Sequence, residues 1–374
     1  MKIRDFGVEM WMNAYENDCT YNLAETCVES LTVGELLNLA GCREQAVADL
    51  LDMKLTYGAI EGSERLRTLI AGLYEKQGPE NIVTTHGAIG ANHLVIETLV
   101  EPGDEVISVL PTYQQHYSIP EAFGAKVRIL PLRAENSFLP DMDELKSLVT
   151  NRTKLICINN PNNPAGSLMD DALLQKIVDT ARAAGAWLLC DEVYRGLTHE
   201  GEAFGTSIAD LYEKGISTGS MSKTFSLAGL RLGWIAAPRI LLEQILRHRD
   251  YNTISCGGID EYLAAVALSC KDAIAARSRA IVTGNLTVLE QWLDGQPKLS
   301  FVKPKAGTTA FLKMEFDMKS ADFCLGLLRE TGVLLVPGSV MDREGYLRIG
   351  YANTPAVIRQ GLEKMGEYLA KLPV

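Results

Sequence analysis

TKLICINNPNNPAGSLMDDALLQKIVDTARAAGAWLLCDEVY, residues 153–194, decides the fold. LICI and WLLC are apolar at successive positions, the pattern of strands buried on both faces. Between them, ALLQKIVDTARAAG has helical periodicity. Strand, helix and strand in this order make one unit of a parallel α/β sheet.

The alternation extends in both directions. Upstream, NIVTTHG leads into an amphipathic ANHLVIETLVE, followed by DEVISVLP and AKVRILPL; downstream come GISTGSMSK and RLGWIAAP. From about residue 275 the pattern changes to a long helical run, IAARSRAIVTGNLTVLEQWL, then AGTTAFLKME, ADFCLGLLRETG, VLLVPG, YLRIGYA and a last helix. The expected organisation is a large α/β domain over 46–275 and a smaller α+β lobe over 276–374. Residues 1–45 match neither pattern and are expected to join the small lobe while wrapping across both.

The chain has 374 residues, 47% hydrophobic and 22% charged, with a formal net charge of -11. That balance supports a sizeable core and disfavours nucleic acid or an anionic membrane as partner. No run of about 18 apolar residues is present, so no membrane span is expected. The opening MKIRDFGVEMWMNAYENDC has no secretion signal pattern. The eight cysteines include no C-x-x-C pair. Reduced thiols in a cytoplasmic protein are therefore expected, with neither a disulfide framework nor a metal site. No G-x-G-x-x-G follows the early strands, which argues against a nicotinamide cofactor.

Polar or small residues cluster at strand ends: Gly87 after NIVTT, Tyr113 after VISVLP, Asn163 after LICINNP, Asp191 after WLLC and Ser220 after ISTG. Open parallel sheets bind ligands beyond the carboxyl ends of their strands. A lysine, Lys223, lies just past one such end, between small hydroxyl residues and a Gly-rich apolar run.

These motifs are similar to those of the class I/II aminotransferases, the fold-type I enzymes that use pyridoxal 5'-phosphate (PLP). The resemblance rests on YGAIEGSERLR, THGAIGAN, PTYQQHY, NPNNPAG, DEVY, SMSKTFSLAGLRLGW and YLRIGYA, in the family's order from about Tyr57 to Arg348. It implies that Lys223 forms a Schiff base with the cofactor aldehyde and carries the substrate Cα proton. Asp191 would pair with the pyridine nitrogen. Tyr194 and Asn163 would hydrogen-bond the 3'-oxygen, and Tyr113 would stack on the ring. Backbone N–H groups of Gly87, Ala88 and Ile89, with Ser220, Ser222 and Arg231, would hold the phosphate. Tyr57 would reach the phosphate of a neighbouring subunit, which implies a homodimer with shared active sites. Arg348 would grip the substrate α-carboxylate bidentately, with Asn163 beside it.

The implied reaction is transfer of an α-amino group from an amino acid to a 2-oxo acid. In dicarboxylate-specific members of the family a second arginine enters the pocket from the partner subunit; the corresponding region here, near YNTISCGGID, holds no arginine, and Arg247 and Arg249 just upstream are not expected to point in, so the resemblance disfavours aspartate as donor. The stretch YNLAETCVESLTVGEL, with TTHGA, ENSFLPDMDEL and GVLLVPGSVM, looks more like the capreomycidine synthase branch of the family. Elimination or cyclisation of an arginine-derived amino acid is therefore the alternative, although DEVY keeps the tyrosine expected of ordinary aminotransferases. Glu9, Glu16, Asp18 and Glu25 in this segment read first as a solvated acidic face. The second reading is a carboxylate that binds a cationic side chain. A regulatory PLP-binding module would carry an appended DNA-binding domain, and no helix-turn-helix or basic patch is present.

Overall fold

Seven strands form the central sheet of the computed structural model, which describes residues 2–372. They are β1 Ile82–Thr85, β2 Glu105–Leu110, β3 Lys126–Pro131, β4 Thr153–Asn159, β5 Trp187–Asp191, β6 Gly215–Ser220 and β7 Gly233–Ala236. Their spatial order is β1-β7-β6-β5-β4-β2-β3. Only β7 runs antiparallel to its neighbours. The reading as a mostly parallel α/β sheet flanked by helices, with a smaller lobe, therefore holds.

The continuous apolar runs are explained by helices on both faces. Ile156, Ile158, Leu188 and Cys190 pack with Leu174, Ile177, Val178 and Ala181 of the helix Asp171–Ala184. Leu155, Cys157, Leu189 and Ile216 pack on the other face with Ala91, Leu94 and Val95 of the helix Gly87–Leu99. Successive strand residues thus enter opposite cores, and both must be apolar. The side chain of Asp170 caps the first helix by accepting from Leu173 N at 2.8 Å.

The chain runs outward from β2 to β3 and then returns to β4 on the other side of β2. That reversal opens a crevice at the carboxyl ends of β2 and β4, where a ligand is met by several strand ends at once.

The smaller lobe carries a four-stranded antiparallel sheet. Its strands are β8 Leu299–Phe301, β9 Thr309–Met314, β10 Val336–Pro337 and β11 Tyr346–Gly350. Helices Lys271–Leu293, Ser320–Thr331 and Pro355–Lys371 accompany it. The first of these runs unbroken through 275/276, so the change of sequence pattern there lies inside one helix.

Residues of the amino-terminal segment divide between the two cores. Val8, Trp11, Met12, Leu23 and Val28 share a core with Leu286, Phe323, Leu347 and Leu362 of the small lobe. Leu36, Leu37 and Ala46 pack instead with Leu66, Met221 and Trp234 of the large one. No helix among the described residues is long and apolar enough to cross a membrane.

Candidate active site

A cavity of about 290 Å³ opens where the strand ends, β11 and the amino-terminal segment meet. Every site residue singled out from the sequence lines it except Gly87 and Tyr57. Gly87 sits immediately behind the wall with φ +68°, and a Cβ there would lie 3.1 Å from the Arg231 guanidinium. A side chain at this position would crowd the cationic group that faces the helix start. Tyr57 lies outside the cavity, 78% exposed.

Asp191 ends β5 and is 4% exposed. Its Oδ2 accepts from Asn92 Nδ2 at 2.8 Å, and its Oδ1 accepts from Val193 N at 3.1 Å. Asn92 is itself oriented by Thr218, whose hydroxyl donates to its Oδ1 at 2.7 Å. The fully buried His116 places Nε2 3.7 Å from the same carboxylate. Asn92 closes the motif THGAIGAN, and helical pitch from Gly87 could have pointed it inward; His116 lies within PTYQQHY, where only Tyr113 was singled out.

The neighbouring Glu192 turns away into the scaffold. It accepts from Ser207 Oγ, Ile208 N and Ser217 Oγ at 2.8–3.0 Å. In DEVY, then, one carboxylate faces the cavity and the other ties strands to the loop before Ile208.

Ala88 and Ile89 stand at the start of the 13-residue helix Gly87–Leu99. Ser220, Ser222 and Arg231 line the same corner. Unpaired N–H groups of a helix start, two hydroxyls and a guanidinium together suit a phosphate.

Lys223 is half-buried. Its Nζ donates to Thr26 Oγ1 at 2.6 Å and lies 3.2 Å from Cys27 Sγ. Burial disfavours charge on this amine, but Cys27, Tyr194 and Glu25 outweigh it and hold it above its ordinary range. The Glu25 carboxylate is opposed by burial in the same way. The charge of Lys223 and the N–H groups of Cys27 and Thr26 prevail and hold it below the usual range. Burial pushes the Cys27 thiol up, so Glu25 is the anion that faces the lysine near neutral pH.

Arg348 on β11 is 3% exposed. Its Nη1 donates to Asn163 Oδ1 at 3.3 Å and its Nη2 to the Ala24 carbonyl at 3.0 Å. Its Nε has no hydrogen-bond partner. A buried guanidinium with an unfilled donor is suited to a carboxylate ligand. Asn163 is aimed by its own N–H, which donates to Asn159 Oδ1 at 2.7 Å.

The amino-terminal wall corrects the first reading for Glu9 and Glu25, which are half-buried, while Glu16 and Asp18 are exposed as a solvated face would be. Glu9, Glu16 and Glu25 line the cavity with Val8, Met12 and Ala24–Cys27, and only Asp18 is absent from it. Glu9 accepts from the Tyr113 hydroxyl at 2.6 Å. Thr26 and Cys27 carried no signal in the sequence. Arg249 is fully buried and donates to the Ile60 carbonyl; neither it nor Arg247 lines the cavity of its own chain.

Comparisons with known proteins assign the chain to a family. The family model for aminotransferase class I and II matches residues 30–365. Capreomycidine synthase from Streptomyces vinaceus is 33% identical over 368 residues, 97% of this chain and 93% of its own. The structure of a PLP-dependent aminotransferase from Streptococcus suis superposes with a TM-score of 0.97 at 43% identity, covering 100% of each chain. The PLP-dependent cyclase OrfR superposes with a TM-score of 0.92 at 26% identity, over 99% of this chain and 98% of its own. The chain belongs to the class I and II aminotransferases, with the fold of the type I PLP enzymes and pyridoxal 5'-phosphate as its cofactor.

Proposed function

We propose that the protein is an aminotransferase that moves the α-amino group of an amino acid to a 2-oxo acid. One observation carries the reading: Lys223, Asp191 and the buried Arg348, whose Nε has no hydrogen-bond partner, line one cavity. When bound, PLP supplies an aldehyde that takes up an amine and a ring that accepts the electron pair left at the substrate Cα.

The chain's residues do the rest. Lys223 holds the cofactor covalently and, once released, takes the Cα proton at Nζ. Asp191, kept in place by Asn92 and Val193 N, would pair with the ring nitrogen and favour its protonated form. Ala88, Ile89, Ser220, Ser222 and Arg231 hold the phosphate, with Gly87 giving them room. Tyr194 and Asn163 would hydrogen-bond the ring oxygen, and Tyr113 would stack on the ring. Arg348 takes the α-carboxylate and so orients the Cα–H bond toward Lys223.

We also infer a homodimer. Leu51, Leu55, Tyr57 and Tyr251 are each more than three-quarters exposed, an apolar surface that a second subunit would cover. On this reading the exposed Tyr57 would reach a partner's phosphate site.

The test follows the nitrogen. The loaded protein is mixed with a ¹⁵N-labelled amino acid and freed of small molecules. It should retain the label and release it to an added 2-oxo acid. A second reading, elimination or cyclisation, is favoured by the likeness to capreomycidine synthase and to the cyclase. It predicts no retained label and a dehydrated, deaminated or ring-closed product.

A further inference from the structure

The reading above gives Lys223 its task but leaves three of its neighbours without one. Its Nζ donates to Thr26 Oγ1 at 2.6 Å and lies 3.2 Å from Cys27 Sγ, on a stretch of chain far from it in sequence. Glu25 stands beside both. Its Oε1 accepts from Thr26 N at 2.6 Å and Cys27 N at 2.7 Å, and its charge acts on the lysine amine and on the thiol. The lysine nitrogen thus meets a hydroxyl oxygen and a thiol sulfur, with a carboxylate next to them. An ammonium has three N–H donors and no acceptor, so these surroundings hold the nitrogen best in its charged form.

The stretch does not need these side chains to stay in place. Asn22 Oδ1 accepts from Ala24 N and Glu25 N, each at 3.0 Å. Gly350 N donates to the Leu23 carbonyl at 2.7 Å, and Thr308 Oγ1 to the Thr26 carbonyl at 2.8 Å. Backbone atoms therefore fix the stretch, and the Thr26 hydroxyl meets only Lys223 among the described residues. The same stretch carries the Ala24 carbonyl, which accepts from Arg348 Nη2 at 3.0 Å. One short piece of chain thus touches both the carboxylate receptor and the base. In an α-amino acid the carboxylate and the reacting hydrogen are borne by the same carbon, so the groups that handle them must keep a fixed spacing.

We propose that Thr26 and Cys27 are positioning residues that dock the Lys223 amine as an ammonium, with Glu25 as its counter-ion, and so hold the base at a set distance from Arg348. This rests on the reading of Lys223 as cofactor anchor and base, and adds the residues that hold it. Two consequences follow from the charge. To capture the cofactor, Nζ must first give a proton to solvent; it then forms a C=N bond to the aldehyde carbon, and the aldehyde oxygen leaves as water. The dock therefore slows capture. Once Nζ has taken the Cα proton it is an ammonium again, and the dock keeps it beside the carbon that Arg348 has placed. Val8, Glu9, Met12 and Glu16 line the same cavity but make no hydrogen bond to Nζ.

The test starts from the PLP-free full chain. PLP is added at neutral pH, and growth of the visible absorbance of the C=N bond is followed. Thr26→Val keeps the shape of the side chain and removes the acceptor, and should capture PLP about 10-fold faster than the parent. Cys27→Ala should act in the same direction and less strongly, while Thr26→Ser should return the parent rate. On the loaded proteins, saturating L-alanine should discharge the absorbance about 10-fold more slowly in Thr26→Val, at an unchanged half-saturating concentration, because Arg348 is untouched. Capture at the parent rate by both Thr26→Val and Cys27→Ala overturns the proposal. So does a change that Thr26→Ser fails to restore, or one confined to half-saturation, since mere support of the segment would give those. Lys223→Ala tells the two failures apart. Capture that persists without Lys223 sinks the reading of the site itself. Capture that needs Lys223 but ignores Thr26 and Cys27 sinks only the dock.

Discussion

The two walls of the cavity are held by different forces. The strand-end wall, with Asn163, Asp191, Ser220 and Lys223, grows out of a sheet whose strands are buried on both faces. Its side chains inherit the rigidity of a core of interior packing density. The opposite wall joins the helix Gly7–Tyr15, packed on the small lobe through Val8, Trp11 and Met12, to the irregular stretch Ala24–Cys27, which follows the two-residue strand Tyr21–Asn22, paired parallel with Val333–Leu334. The stretch itself is fixed by single hydrogen bonds to distant residues. Gly350 N donates to the Leu23 carbonyl at 2.7 Å, Thr308 Oγ1 to the Thr26 carbonyl at 2.8 Å, and Glu29 N to the Ala352 carbonyl at 2.9 Å. A rigid wall suits chemistry common to every substrate. A wall tied at a few points can be rebuilt to select among side chains without disturbing that chemistry.

The largest expected effect tests the first wall. Lys223→Ala should lower turnover about 10⁴-fold or more, because it removes both the covalent anchor and the base. Borohydride reduction of the loaded protein followed by peptide mass mapping should put the cofactor on Lys223 in the parent and on no lysine in the variant. A label elsewhere would break the assignment of this wall to the chemistry.

Next comes the residue that joins the walls. Arg348 spans Asn163 on one side and Ala24 on the other. Arg348→Ala should raise KM about 100-fold for every amino acid, charged or neutral, with little loss of PLP affinity. Steady-state kinetics beside cofactor titration would show it. An effect confined to one class of side chain would mean that the common wall ends before Arg348.

The strand-end wall was legible because its logic is local and repeated. Apolar runs such as LICI and WLLC identify buried parallel strands, and the residues after them must lie at one edge. Asp191, Asn163 and Lys223 could be placed before any contact was known. The second wall was not legible, because nothing within YNLAETCVES determines where it lies. Its position is written more than 300 residues away, in Gly350 and Arg348. Glu9, Glu16 and Glu25 therefore read as ordinary solvated acids, and Thr26 and Cys27 as nothing in particular. His116 failed to register for a related reason: one histidine on a buried helix has no local pattern.

A backbone-level substitution can probe the second wall alone. A Cβ at Gly350 would collide with the Glu25 carbonyl. Gly350→Ala should push the segment outward, cost about 1–3 kcal/mol of stability and raise KM several-fold. Calorimetry and kinetics on the same sample would separate the two. Unchanged kinetics would show that this wall does not need its position.

The smallest effect concerns charge within that wall. Burial pushes the Glu25 carboxylate up, but Lys223 and the N–H groups of Cys27 and Thr26 prevail and hold it below its ordinary value of 4.5. A carboxylate lowered on folding adds stability that is fully present above its unfolded value and is lost as pH falls through the folded one. In the cofactor-free protein, Glu25→Gln should therefore lower Tm by about 1–3 °C near pH 7, a gap that closes as the medium is acidified below about pH 4. Loading with PLP engages Lys223, the chief charge that favours the Glu25 anion, so the gap should narrow at neutral pH as well. Melting curves of both proteins across pH, with and without PLP, measure this directly. A gap that persists into acid would show that Glu25 supports the segment through its hydrogen bonds alone, and that the two walls are not electrostatically coupled.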